Sequence, residues 1–300
     1  MIGELAPPVA IAAHDAGGAE VLSSYVVRHA LPCKFVLDGP ARKVFERKLG
    51  PIALTSLDDA IATCGSLLCG TSWEAELEWR AIAAAKVAGK PAIAFLDHWV
   101  NYRKRFIRKA RECLPDTIWV GDAAAEELAR SIFPETLVQR VPNPYFEDIR
   151  EEFAAFEHVA ASAERKGLRV LFLCTPMLVH EEKRGYTEFD ALRYFFSNRS
   201  ALGQPIASLV IRPHPSEAKD KYAGMVREFG AEARLGGDTP LLREIAESDV
   251  VMGCGSMAMV AALIAGRRVI SAIPPGGRPS SLPQPEIESL QTLVRNGSAH

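Results

Sequence analysis

The chain reads as an α/β protein of two doubly wound domains facing each other across a cleft, and three observations predict it. Short apolar runs alternate with helical patterns along the chain. The alternation comes in two rounds separated by a polar stretch. The loops after the apolar runs gather glycine, hydroxyl, imidazole and carboxylate groups. Such alternation marks a parallel sheet covered by helices on both faces. A length of 300 residues suits two domains of ordinary size.

The first round opens with the run 8–13, which turns at His14-Asp15-Ala16-Gly17-Gly18 into a helical pattern reaching residue 30. A strand at 34–37 and a helix at 41–49 follow. Ser66–Cys69 then leads through Gly70-Thr71-Ser72-Trp73 into an alanine-rich helix over 74–88, stopped by Gly89-Lys90-Pro91. Ala92–Leu96 and Thr117–Val120 are further buried strands, with a helix at 123–131 and a last strand at 137–141 before Pro142-Asn143-Pro144. The second round has strands at Leu168–Leu173, 207–211, 249–252 and Arg268–Ser271. A polar helical stretch over 146–166 separates the rounds, so the domains are expected at 1–150 and 151–300. The tail after Ile273 is rich in Pro, Gly and Ser and holds one possible helix at 285–294.

Composition narrows the function classes. Apolar residues near half and charged residues near a quarter describe a globular chain with ample core. A net charge of −2 gives no electrostatic footprint for nucleic acid. One dense basic run, Arg103-Lys104-Arg105 through Arg108-Lys109 and Arg111, reads as a solvated helix face or a docking patch for an anionic acceptor. No apolar stretch is long enough to span a membrane, and residues 1–4 lack the basic region of a signal peptide. The six cysteines are scattered without zinc or redox spacing, as in a cytoplasmic chain with reduced thiols. Nothing in the sequence signals an oligomeric state.

Ligands of doubly wound sheets bind beyond the carboxyl ends of the strands, which directs attention to the strand-end loops. Arg212-Pro213-His214-Pro215 and Gly253-Cys254-Gly255-Ser256 each follow a strand and precede a helical pattern. Together they offer a cation, an imidazole, a hydroxyl and bare backbone, a set suited to a phosphate or nucleotide diphosphate. His214 is either a turn residue pinned between prolines or a donor to a leaving phosphate. Ser256 is a helix cap, a phosphate hydroxyl or both. In the first round, Gly17 and Gly18 admit close backbone approach, while Asp15 is a general base or a helix cap, with His14 the lesser choice as base. A single Gly pair is not the dinucleotide fingerprint, so no cofactor is expected. Asp97, His98, Trp99 and Asn101 crowd one strand end, where they either orient a sugar ring or pack a corner. No Asp-x-Asp motif is present, and no metal is expected.

On these residues the chain resembles GT-B glycosyltransferases. It is most similar to bacterial sialyltransferases and polysialyltransferases that use cytidine-nucleotide donors. Those families share an acidic base in an N-domain Gly turn, a His-Pro pair and a Ser-bearing turn, matched here by Asp15 with Gly17 and Gly18, by His214-Pro215 and by Ser256. Glycerophosphotransferases of teichoic acid synthesis carry a similar Arg-x-His-Pro. The resemblance implies sugar transfer from a nucleotide donor, a CMP-sugar favoured, to a hydroxyl of a glycan or other acceptor in bacterial surface glycan synthesis. The acidic motif here is His-Asp-Ala-Gly rather than the paired acids of the sialyltransferases. UDP-sugar 2-epimerases share the fold and carry carboxylates in the C-domain Gly turn, where this chain has none. A same-fold epimerase or hydrolase, and a non-catalytic sugar-nucleotide binding protein, stand as the alternatives.

Overall fold

The computed structural model describes residues 5–72, 75–156, 167–176 and 184–297. Trp73 and Glu74 (the latter opening the expected 74–88 helix), positions 1–4 and the 157–166 part of the polar stretch lie outside the described residues. The chain divides into two compact units, Met1–Asp148 and Ile149–His300.

In the first unit the strands are β1 (Val9–Ala13), β2 (Cys33–Leu37), β3 (Ser66–Cys69), β4 (Ala92–Leu96), the short β5 (Ile107–Arg108) and β6 (Arg111–Glu112), β7 (Thr117–Val120) and β8 (Leu137–Arg140). Six of them form one parallel sheet in the order β2-β1-β3-β4-β7-β8. Every residue of β1, β3, β4 and β7 is buried. That is why these strands read as continuous apolar runs rather than alternating ones. Val9, Ile11, Leu68, Phe95 and Trp119 form the core against the helix Ala16–His29, whose Val21, Leu22 and Val26 face inward.

The second unit repeats the plan with β9 (Leu168–Leu173), β10 (Ile206–Arg212), β11 (Ala233–Leu235), β12 (Val250–Gly253), β13 (Arg268–Ser271) and β14 (Glu288–Ser289). The sheet is again parallel, in the order β11-β10-β9-β12-β13-β14. Phe172, Phe195, Ile211, Met252 and Ile270 lie at its core. The strand order reverses between β1 and β3 in one unit and between β9 and β12 in the other. These are the switch points at which doubly wound sheets leave a crevice for ligand.

Two features depart from the expectations. The edge strands β11 and β14 and the helix Leu57–Thr63 are too short to leave a readable apolar period. The basic run is not a helix face. One helical turn, Tyr102–Arg105, gives way to the antiparallel hairpin β5–β6, whose tip residues Lys109 and Ala110 take left-handed backbone, φ 49° and 60°. Arg105 and Arg108 are buried, and Arg108 donates to the carbonyls of Ser72, Ala75, Lys104 and Ile107. Carbonyls at strand and helix ends thus take up cations that the sequence presents as surface charge. Among the described residues no helix is long and apolar enough to cross a membrane.

The central pair of the second sheet is pinned at its amino end. Arg169 donates through Nε (3.0 Å) and Nη2 (2.5 Å) to the Asp249 carboxylate, which also accepts the Arg169 amide at 2.8 Å. This pairing holds Asp249 below the ordinary carboxylate range. A depressed folded-state pKa adds stability that is present above the unfolded value of 3.8 and is lost as pH falls through the folded one. Asp249→Ala should therefore cost about 2 kcal/mol at neutral pH, below the ~3–5 of a fully buried pair because Asp249 is partly exposed. Urea unfolding at pH 7 and pH 3 checks this: the wild type and the variant should differ at pH 7 and converge toward pH 3.

Candidate functional site

At the switch point of the first unit, β1 is followed by His14 and Asp15. Asp15 has the extended backbone of an N-cap (φ −81°, ψ 147°) before the helix Ala16–His29, yet its side chain makes no capping hydrogen bond. Its Oδ1 lies instead 2.7 Å from Nδ1 of His14. The carboxylate can only accept, so Nδ1 carries a proton, and in the neutral ring Nε2 holds the free lone pair. The pairing with Asp15 raises the His14 pKa above its ordinary value of 6.5. Gly39, at φ 52°, faces the other edge of the ring: a Cβ there would sit 2.6 Å from Nε2. Glycine is thus needed both for the backbone and to keep that edge open.

Below this pair lies Glu78, 3% exposed, whose Oε1 accepts the His14 amide at 2.7 Å. Burial pushes its carboxyl up. The sequence signal was present, because Glu78 shares the buried stripe of its helix with Ala81, Ile82 and Ala85. An acid on a core-facing stripe wants a partner.

Gly17 and Gly18 serve close packing. A Cβ on Gly17 would overlap Oδ2 of Asp97, and one on Gly18 would lie 3.2 Å from the Gly70 Cα. Asp97 is held from the far side by Arg105, whose Nη1 donates to Asp97 Oδ1 (3.0 Å), to the Thr71 carbonyl (2.9 Å) and to Thr71 Oγ1 (2.8 Å). This network locks the loops after β1, β3 and β4 together. His98 accepts the Trp99 amide on Nδ1 at 2.9 Å, and burial lowers its pKa. Trp99 is 7% exposed and its indole N–H donates to Asp122, which leaves little ring face for a sugar. Asn101 is exposed, in left-handed backbone at φ 57°.

In the second unit Arg212 closes β10. Its Nη1 donates to Oε2 of Glu244 (2.7 Å) and to the Thr239 carbonyl (2.9 Å), and Glu244 is 3% exposed. Arg212 therefore ties the strand end to the loop before the helix Leu241–Ala246. His214 is exposed and its Nδ1 faces the Ser216 hydroxyl (2.7 Å) and the Ser216 amide (3.2 Å). Gly253 lies at the switch point, where a Cβ would be 3.2 Å from the Leu173 carbonyl and 3.1 Å from the Met259 sulfur. Gly255, at φ 133°, packs on Ser280: a Cβ would be 2.8 Å from its Oγ. Ser256 caps the helix Met257–Ile264 through the Ala258 amide at 3.1 Å. Among the described residues no group of three or more His, Cys, Asp or Glu is placed to hold a metal ion.

No family model matches the chain, and no curated protein matches it in sequence. Solved structures do match in shape. A UDP-GlcNAc 2-epimerase from Neisseria meningitidis, solved with UDP-GlcNAc bound, superposes with a TM-score of 0.61 at 12% identity, covering 97% of this chain and 90% of that one. The fold is of the GT-B type. The UDP-GlcNAc 2-epimerase of Methanocaldococcus jannaschii gives 0.58 at 10% identity, with 88% and 83% covered. An α/β-galactoside α-2,3-sialyltransferase of Photobacterium phosphoreum gives 0.51 at 10% identity, with 95% and 98% covered.

The packing at Gly17 sets a test. Gly17→Ala must displace Asp97 from Arg105 and should cost about 1–3 kcal/mol, as overpacking of a tight interior does. A thermal melt should show a clear fall in Tm; an unchanged Tm would mean that Asp97 moves aside freely.

Proposed function

We propose that this protein is a glycosyltransferase of the cytoplasm that moves a sugar from a nucleotide-activated donor to an acceptor hydroxyl. A CMP-sugar is the favoured donor, and bacterial surface glycan synthesis the favoured setting. The observation that carries this reading is the His14–Asp15 pair at the β1–β3 switch point. A carboxylate that could cap a helix instead orients an imidazole, as a base requires. The fold supports the same class of chemistry by analogy, since GT-B structures among its neighbours are named as sugar-nucleotide epimerases and a sialyltransferase.

In this reading the acceptor O–H gives its proton to the His14–Asp15 pair as its oxygen attacks the anomeric carbon. The bond from that carbon to the donor phosphate breaks, and its electron pair leaves with the phosphate. His214 and the positive end of the Met257–Ile264 helix, capped by Ser256, meet the developing charge. Gly253 and Gly255 let the backbone approach, and Arg212 holds the end of β10 in place. These groups stabilise the leaving group without a bound metal or cofactor. The sequence reading puts the base on Asp15; the pairing geometry favours Nε2 of His14 as the accepting atom, with Asp15 orienting it.

A 2-epimerase reading draws on the two epimerases of similar shape. Against it runs the turn Gly253-Cys254-Gly255-Ser256, which carries no carboxylate. Turnover of UDP-GlcNAc without any acceptor would decide for it.

A thermal-shift panel of CMP, CDP, UDP, GDP and their sugars identifies the donor, because a ligand that binds the folded state raises Tm. With the donor in hand, His214→Ala should lower turnover by about two orders of magnitude or more with the fold intact. Near-normal turnover would reduce His214 to a turn residue.

The pH profile tests the base. Turnover should fall on the acid side through an apparent pKa above 6.5, because His14 must be unprotonated to accept and Asp15 raises its pKa. Asp15→Asn should keep nucleotide binding, lose most turnover and shift the acid limb downward. His14→Gln nearly normal with Asp15→Asn inactive would move the base role to Asp15. Loss of nucleotide binding in Asp15→Asn would move the donor from the second unit, where His214 and Ser256 are proposed to meet its phosphate, to the first.

A further inference from the structure

His214 lies on an exposed loop, where an imidazole would ordinarily sample both tautomers and several rotamers. Its surroundings remove that freedom. The Ser216 amide donates to Nδ1 at 3.2 Å, and the Ser216 hydroxyl sits 2.7 Å from the same nitrogen. A nitrogen that accepts from an amide carries no proton, so the proton is on Nε2. The main chain of the loop is held from beneath by Glu217. Its Oε2 accepts the His214 amide at 2.9 Å, and its carboxylate accepts the Tyr222 hydroxyl at 2.9 and 3.0 Å.

Glu217 is itself anchored. Its side chain is 5% exposed, and Lys221 donates to Oε1 at 2.6 Å while also pairing with the buried Glu188. Tyr222 is fully buried in the core of the second unit. A chain of contacts therefore runs from that core through Tyr222 and Glu217 to the His214 backbone, and through Ser216 to its ring. An exposed histidine needs no such support merely to turn a loop between two prolines.

We propose that Glu217 is a positioning residue that, with Ser216, holds His214 as a single tautomer whose Nε2–H is presented as a donor to a phosphate oxygen of a nucleotide. This rests on the reading that His214 meets the donor phosphate. It adds to that reading the residue that sets the ring's orientation and the ring nitrogen that donates.

Long-range ¹H–¹⁵N spectra of the histidine rings in the full chain test it directly, recorded above the ordinary His range at about pH 8. His214 is assigned by its loss in His214→Gln. The wild type should show Nε2 protonated and Nδ1 bare. Glu217→Ala should average the two nitrogens. Glu217→Asp should do the same while keeping a charge for Lys221, because the shorter side chain withdraws from the His214 amide. Binding of whichever of CMP, CDP or UDP gives a thermal shift should weaken about tenfold to a hundredfold in both variants, as for loss of a hydrogen bond to a charged group. A wild type that already averages, or a Glu217→Asp protein with an unchanged His214 signal, overturns the proposal. A fixed tautomer released in Glu217→Asp, together with no response of the Nε2–H to any nucleotide, instead sustains the positioning role and defeats the phosphate reading.

Discussion

Burial of both faces of each parallel sheet is the constraint from which the rest of this structure follows. In the first unit, four neighbouring parallel strands are buried throughout, and the only hydroxyl side chains along them, Ser66 and Thr117, stand at the first position of their strands. Polar chemistry is driven to the strand ends. The crossover connections then bring the loops after β1 and β3 together at one switch point and set the ends of β9 and β12 side by side at the other. His14, Asp15 and Gly70 lie at the first, and Gly253 at the second, because a twisted sheet leaves polar residues few other places.

Polar groups packed at a rim need partners of their own, and buried carboxylates supply them. Glu78 receives the His14 amide, Glu244 receives Arg212 and the Gly237 amide, and Glu217 receives the His214 amide. Each carboxylate comes from a helix or a loop beneath the rim, and each satisfies a main-chain or cationic donor that would otherwise be desolvated without a partner. In the first unit Asp97 does the same for Arg105 from a strand end. The loops are consequently rigid where the proposed chemistry needs fixed geometry, although they lie at the surface of the sheet.

The sheets were legible in the sequence because buried parallel strands leave uninterrupted apolar runs such as Ala92–Leu96. The rim loops were legible because His, Asp, Gly and Ser stand out at the ends of such runs. What escaped was whatever depends on a partner distant in sequence. Arg105 and Arg108 read as surface charge, since only the fold shows that Asp97, Thr71, Ser72 and Ala75 converge on them. Trp99 and Asp97 read either as a sugar platform or as a packed corner, and only the fold shows the indole bonded to Asp122 and the carboxylate to Arg105. Arg212 read as an open cation, while Glu244, thirty-two residues on, engages it. Glu78 was within reach, as an acid on an otherwise apolar helical stripe.

The two histidines carry the consequence furthest. Both lie in loops that leave the carboxyl ends of strands, and both use Nδ1 toward a neighbour, but the neighbours have opposite character. Asp15 accepts, which makes Nδ1 of His14 the donor and leaves a lone pair on Nε2. The Ser216 amide donates, which makes Nδ1 of His214 the acceptor and leaves a proton on Nε2. One ring is thereby set to take a proton and the other to offer one, at the same pH and without any difference in the side chain itself. The glycosyl transfer proposed above would use that division, because the attacking hydroxyl must lose a proton while negative charge builds on the leaving phosphate. The proposed roles of base and donor thus rest on the immediate neighbours of each imidazole, a carboxylate in one unit and an amide in the other, more than on the presence of histidine in either loop.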